Sequence, residues 1–142
     1  MKKILVPVDG SEFSMRAIEE AKKIAQAFGS EIVLLAVSGG GLTGQYIVGV
    51  GSYKRAEVFK ADAEKILIKA KRNLGDLVAK TETVIKYGDP ANEILNYLDG
   101  SDVDFVVMGS QGVGGSAARR FLMGSVAYKV LHNAKQLMLI VK

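Results

Sequence analysis

A glycine-rich stretch, GSQGVGGS at Gly109–Ser116, is the part of the sequence best suited to bind an anion. It follows an apolar run and is one residue away from the phosphate-binding pattern G-x-x-x-x-G-K-[ST]. Gly109, Gly114 and Ser116 match that pattern, but Gly115 stands where the lysine is required. Loops of this type also usually follow the first strand of a domain, whereas this one follows the fourth predicted strand. The sequence therefore argues against a lysine-bearing phosphate loop.

The dinucleotide fingerprint G-x-G-x-x-[GA] also matches the stretch, at Gly112, Gly114 and Ala117. This fingerprint opens a strand–helix–strand unit and needs an acid about 20 residues later to bind a ribose. The strand that follows here is the last predicted one, and it contains no acid. A dinucleotide site is therefore not favoured.

Gly124 and Ser125 complete a third arrangement, because nine residues separate Gly124 from Gly114 and a helix is predicted to begin there. The N–H groups of the first helical turn point outward at the positive end of the helix dipole and attract an anion. The glycine loop would supply N–H donors from the opposite side. The two segments together would bind a polyphosphate without a lysine. The alternative is that these glycines only permit tight turns.

Strands and helices alternate along the chain and must position these residues. This alternation predicts an α/β fold, a parallel sheet with helices on both faces. In such a sheet, ligands bind beyond the carboxyl ends of the strands, where the strand order reverses. Helix one carries an apolar stripe at Ala17, Ile18, Ala21, Ile24, Ala25 and Phe28. The predicted strands are KKILVPVD, EIVLLAV, TETVIKYG, VDFVVMG and QLMLIVK, and the predicted helices are SEFSMRAIEEAKKIAQAFG, Tyr53–Ala79, Asp89–Leu98 and Gly124–His132.

Composition limits the classes of function. The 142 residues predict one domain, residues 1–142, with an ordinary hydrophobic share of 49%. No apolar run is long enough to span a bilayer, so we expect a cytoplasmic protein without a membrane partner. The net charge of +4 is scattered among acids, which argues against nucleic-acid binding. No pairing of a nucleophile with a base is evident, so no catalytic residue is predicted.

Several segments together resemble the universal stress protein family, and in particular its ATP-binding branch. The family signature is G-2x-G-9x-G-[ST] after an apolar strand, and ILVPVDGSEFSMRAIEEA, GDPANEIL and GSVAYKVL are also similar to family segments. The resemblance covers nearly the whole chain. It implies a doubly wound, five-stranded parallel sheet of order 3-2-1-4-5, which is Rossmann-like and similar to the adenine nucleotide alpha hydrolases.

The resemblance further implies the residues of an ATP site. Pro7 and Val8 would wall the adenine pocket, and the backbone of Val37 would contact the adenine. Asp9 would approach the ribose, and Mg²⁺ or Mn²⁺ through water. The alternative is that Asp9, at the end of a buried strand, only caps the turn that follows it. The residues that would flank the ribose or line the phosphates are Met108, Gly109, Gly112, Gly114, Gly124, Ser125 and Val126.

The glycine loop departs from the family signature. Gly112 satisfies the two-residue spacing from Gly109, but the nine-residue spacer counts correctly only from Gly114. Either glycine could therefore be the family equivalent. Arg119 and Arg120 lie within the spacer, where they would either reach phosphate or remain in solvent or at an interface.

Partners and activity follow from the resemblance as expectations. An edge strand at Leu137–Val141 would pair with a second copy in a homodimer. Nucleotide binding would make the protein a stress sensor or switch for an unknown protein partner, with at most slow ATP hydrolysis. The loop Ser38–Ser52 would be a lid, a contact surface or a disordered insertion. The alternatives are a dimeric interaction module that binds no nucleotide, and an enzyme that uses ATP.

Overall fold

The computed structural model describes residues 2–39, 52–115 and 122–142, with side chains of the second helix described from Glu57 onward. Within these ranges strands and helices alternate as predicted. None of the described helices is long and apolar enough to cross a membrane. The expectations for Arg119, Arg120 and most of the Ser38–Ser52 loop lie outside the described residues. The elements are β1 Lys3–Val8, α1 Glu12–Phe28, β2 Glu31–Ser38, α2 Ser52–Arg72, a 3₁₀ helix Gly75–Lys80, β3 Thr81–Tyr87, α3 Pro90–Asp99, β4 Phe105–Gly109, α4 Ser125–Asn133 and β5 Leu137–Val141.

The five strands form one parallel sheet in the order β3-β2-β1-β4-β5, which confirms the expected order. The chain builds one half of the sheet outward from β1 to β3 and then returns to build the other half with β4 and β5. The order therefore reverses between β1 and β4. The carboxyl ends of these two strands, at Val8 and Gly109, flank the point where a doubly wound sheet binds its ligand.

Both faces of the sheet are buried, because consecutive residues of each central strand point to opposite sides. Ile4 and Val6 of β1 pack with α1 and α2, whereas Leu5 packs with α3 and α4. The central strands β1, β2 and β4 are therefore nearly continuous apolar runs in the sequence, whereas the edge strand β3, TETVIKY, is not. The expected arrangement, with helices on both faces, is confirmed.

Helix α1 begins and ends at the predicted residues. The side chain of Ser11 accepts a hydrogen bond from the N–H of Ser14, at 3.1 Å, and Gly29 ends the helix with a left-handed φ of 69°. The predicted apolar stripe is buried except at Ile24 and Phe28. Ile24 is half-buried, and the prediction for Phe28 was wrong, because this last helical residue is 63% exposed beside the turn into β2.

The prediction of one helix from Tyr53 to Ala79 was also wrong. Helix α2 ends at Arg72, and a 3₁₀ helix occupies Gly75–Lys80. The apolar stripe continues to Leu74, which is fully buried, so periodicity alone indicated a longer helix. Gly75 breaks the α-helix because its φ is +56°.

Asp104 holds the first residues of β1, which gives a prediction for acid stability. Its carboxylate accepts hydrogen bonds from the N–H groups of Lys2, at 3.0 Å, and Lys3, at 3.3 Å. These bonds lower the pKa of Asp104 below its usual value of 3.8. The stabilisation is therefore complete above that usual value and is lost as the pH falls through the lowered pKa. We expect Asp104→Asn to unfold at lower urea than the wild type at pH 7, with the gap closing below pH 3.8.

Urea unfolding from pH 7 to pH 2 measures this gap. Asp76→Asn, which removes an exposed carboxylate from the 3₁₀ helix, is the control and should show a smaller gap. A gap for Asp104→Asn that does not change with pH would show that the carboxylate's charge is not what stabilises β1.

Candidate functional site

The carboxyl ends of β1, β2 and β4 open into one cavity of about 510 Å³, which the first turns of α3 and α4 complete. The residues that the sequence analysis named lie in four different segments of the chain. All eleven of them line this cavity. They are Pro7, Val8, Asp9, Val37, Met108, Gly109, Gly112, Gly114, Gly124, Ser125 and Val126.

The cavity wall has two kinds of surface. The strand ends and α3 supply apolar side chains, among them Leu35, Val37, Ile94 and Met108. The loop after β4 and the start of α4 supply glycines and backbone groups. Asp9 is the one ionisable residue among the described residues that line the cavity. Such a wall suits a ligand with a flat apolar part and an anionic part.

Asp9 uses its two carboxylate oxygens differently. Its Oδ1 accepts a hydrogen bond from the N–H of Ser11, at 3.0 Å, so it does cap the turn that follows β1. Its Oδ2 faces the glycine loop, where a β-carbon at Gly112 would lie only 2.8 Å away. The turn-capping role and a second role for the carboxylate are therefore compatible.

Crowding rather than left-handed backbone explains three of the loop glycines, Gly109, Gly112 and Gly115, because a β-carbon at each would lie within 3 Å of another atom. Gly109, Gly112, Gly114 and Gly115 are absent from the glycines of positive φ. A β-carbon at Gly109 would lie 2.7 Å from Cβ and 2.8 Å from the carbonyl carbon of Phe13. The end of β4 thus packs directly on the first turn of α1. The interpretation that these glycines only permit tight turns does not explain this packing.

Gly115, the position of the missing lysine, has no room for a side chain. A β-carbon there would lie 2.5 Å from Oε1 and 2.7 Å from Cβ of Gln111. The N–H of Gly115 donates to the carbonyl of Gly112 at 2.9 Å, which closes a turn. Any side chain at position 115 would have to displace Gln111. The loop is therefore built differently from one that presents a lysine at this position.

The start of α4 is tied to the same loop through the backbone. The N–H of Gly124 donates to the carbonyl of Ser110, and the N–H of Ser110 donates to the carbonyl of Val141, both at 2.7 Å. Gly124 is the N-cap of α4 and has no side chain to accept from the first-turn N–H groups. In α1 and α3, by contrast, the side chains of Ser11 and Asp89 accept such a bond. The first turn of α4 therefore offers its donors to a ligand.

Sequence reasoning missed several residues of the cavity. Leu35 lies two positions before Val37 in β2 and so faces the same side of the sheet, a signal that could have been used. Pro90 and Ile94 lie four positions apart on α3 and share one helix face. For Gln111 and Met123 the single sequence carries no comparable signal. The residues that line the cavity beyond the predicted ones are Ser14, Leu35, Pro90, Ile94, Gln111, Gly115, Leu122, Met123 and Ala127.

Comparison with protein families gives one match, to the model described as the universal stress protein family, over residues 1–142. Universal stress protein MJ0531 of Methanocaldococcus jannaschii is 34% identical over 145 residues, which cover 99% of this chain and 82% of that relative. Universal stress protein YxiE of Bacillus subtilis is 34% identical over 137 residues, which cover 90% of each chain.

Solved structures share the fold. Protein MJ0577 has a TM-score of 0.84 at 28% identity and covers 99% of this chain and 95% of its own. A universal stress protein in complex with cAMP has a TM-score of 0.70 at 24% identity, covering 99% and 95%. The Archaeoglobus fulgidus protein in complex with dAMP has a TM-score of 0.72 at 22% identity, covering 100% and 98%. An Arabidopsis thaliana family protein with AMP bound has a TM-score of 0.69 at 22% identity, covering 100% and 92%.

Proposed function

The chain belongs to the universal stress protein family, and we propose from this premise that it binds ATP in the cavity at the strand ends and acts as a nucleotide-dependent sensor or switch. One observation carries the proposal: residues named from four separate segments of the sequence line a single cavity. Its volume of about 510 Å³ lies within the range of small-molecule sites, which runs from about 300 to about 1,000 Å³.

Adenine, ribose and phosphates would each meet a region of the cavity wall that suits their chemistry. Adenine would lie against Pro7, Val8 and Val37, where apolar side chains exclude water. The ribose would lie between Asp9 and the end of β4. The phosphates would accept hydrogen bonds from the N–H groups of the glycine loop and of the first turn of α4. The residues proposed for the ribose and phosphates beside Asp9 are Met108, Gly109, Gly112, Gly114, Gly124, Ser125 and Val126.

The choice of an adenine nucleotide draws on the solved relatives. Three of them were determined with cAMP, dAMP or AMP, and these ligands share the adenine ring and a phosphate but differ in the sugar and its linkage. ATP contains the adenosine and phosphate of AMP and carries two further phosphates. The long glycine wall, which reaches from Gly109 to Gly115 and resumes at Gly124, favours a ligand with more than one phosphate.

Asp9 would hold a divalent cation only together with the phosphates. No group of three or more His, Asp or Glu side chains able to hold a metal occurs within the residues that the structure describes. Mg²⁺ commonly binds one or two carboxylates together with substrate phosphates and keeps several waters, and Mn²⁺ also suits oxygen ligands. The Oδ2 of Asp9, which faces the loop, fits that use, and the metal would then neutralise phosphate charge.

A homodimer is part of the proposal. β5 is the outer strand of the sheet beside β4, and Leu137 at its start is 69% exposed. Pairing of Leu137–Val141 with the same strand of a second copy would cover this edge. The unknown protein partner would then recognise the nucleotide-bound dimer.

Native mass spectrometry and calorimetry test the proposal. We expect the purified protein to bind one ATP per chain with micromolar or tighter affinity, more tightly with Mg²⁺ than with EDTA, and to carry the mass of a dimer. AMP should bind more weakly, because it lacks two phosphates. If neither ATP nor AMP with Mg²⁺ gives heat or bound mass, the protein is instead a dimeric interaction module. Formation of ADP or AMP at more than a slow rate would favour an enzyme that uses ATP.

A further inference from the structure

Gln111 is a buried polar residue between the two segments that the proposed phosphate site requires. Its exposed fraction is 8%, although it follows β4 in a surface loop. Its Nε2 donates a hydrogen bond to the carbonyl oxygen of Leu122 at 2.9 Å. This bond crosses eleven positions of sequence and joins the loop after β4 to the segment that leads into α4.

Both segments also pack on Gln111. Its side chain takes the space beside Gly115, where a β-carbon would lie 2.5 Å from Oε1. Its backbone takes the space beside Gly124, where a β-carbon would lie 3.2 Å from the Gln111 Cα. Gln111 thus contacts both the glycine wall and the N-cap of α4, beside the backbone bond that joins Gly124 to Ser110.

We propose that Gln111 is a positioning residue, which holds the glycine loop and the first turn of α4 at the spacing at which both bind one polyphosphate. This inference rests on the proposed function. The side chain acts through the backbone groups that it orders and adds no charge to the site. A loop fixed before the ligand arrives loses less conformational entropy on binding, so affinity for the phosphates rises. Adenine and ribose, which are proposed to contact the ends of β1, β2 and β4, gain little from this ordering.

The experiment compares Gln111→Met with Gln136→Met. Methionine has nearly the shape of glutamine but cannot donate to a carbonyl. Gln136 is the matched control, because its Nε2 also donates to a backbone carbonyl, that of Leu98 at 3.4 Å, and it does not line the cavity. Calorimetric titrations with ATP, AMP and adenosine are run on the wild type and both variants, together with thermal unfolding.

Gln111→Met is expected to weaken ATP binding about fivefold to tenfold, the effect of one buried hydrogen bond. Its adenosine affinity should stay within about twofold of the wild type, since about 0.4 kcal/mol corresponds to that factor. Gln136→Met should leave all three affinities within the same limit. An equal loss for ATP and adenosine in Gln111→Met, or an unchanged ATP affinity, overturns the positioning role while the proposed function stands. A wild type that binds neither ATP nor AMP overturns both.

Discussion

Gly109→Ala is expected to lower the free energy of unfolding by about 2 to 3 kcal/mol, the upper range for overpacking a well-packed interior. The added carbon would lie within 2.8 Å of Cβ and of the carbonyl carbon of Phe13. The carbonyl carbon belongs to the backbone of α1, so no rotamer change relieves the overlap. Either β4 or the first turn of α1 has to move, and both are packed into the core.

Urea unfolding at neutral pH measures this loss. Gly114→Ala is the matched control, because no atom of the described residues lies within 4 Å of the position that its β-carbon would take. Its φ is not positive, so alanine should be neutral or slightly stabilising there. Equal stability of Gly109→Ala and Gly114→Ala would mean that β4 and α1 are not in the close contact described.

Gly114→Glu is expected to weaken ATP binding about 30-fold, which is about 2 kcal/mol. Gly114 lines the cavity on the side proposed for the phosphates and has space for a side chain. Two like charges about 4 Å apart repel by about 4 kcal/mol at an effective dielectric of about 20, and salt reduces that value. Adenosine, which carries no phosphate, should bind as it does to the wild type.

Gly114→Gln separates charge from size, since glutamine has the shape of glutamate without its charge. It should retain most of the ATP affinity, and the gap between the two variants should narrow as salt is added. Calorimetric titration at two salt concentrations measures both effects. If Glu and Gln weaken ATP equally, the phosphates do not lie near Gly114, and Gly112 becomes the glycine nearest to them.

The alternation of strands and helices and the positions of Asp9 and the glycines were predictable from local patterns, whereas the strand order and Val37 came from the family resemblance. Apolar runs located β1, β2, β4 and β5, and the residues that follow β1 and β4 had to meet at the point where the strand order reverses. The end of α2 was not predictable from periodicity, because the stripe runs on through Leu74 while Gly75 adopts a positive φ. The side-chain pattern predicted a longer α2, but the backbone conformation at Gly75 does not allow the helix to continue.

Gln111 illustrates why the remaining residues of the site could not be predicted from the sequence. Its partner in the described hydrogen bond is the carbonyl of Leu122, a backbone group that any residue could offer. A bond to a backbone carbonyl does not restrict the residue type that carries it, so the sequence does not indicate the contact. Gly115 is a second example, because the sequence shows only that glycine stands where the phosphate-binding pattern requires lysine. Only the structure shows that a neighbouring amide occupies the space.

The crowding of the loop glycines changes how sequence alignments of relatives should be read. Gly109, Gly112 and Gly115 would each bring a β-carbon within 3 Å of the protein's own atoms, and Gly124 within 3.3 Å. Selection for a folded chain alone would preserve Gly109 and Gly115, whose β-carbons would overlap backbone or β-carbon atoms, even in a lineage that had lost its nucleotide. Gly114 is the exception, because neither φ nor the described neighbours demand glycine there. Exclusion of acidic residues at this single position is thus the more informative evolutionary record of a bound polyphosphate.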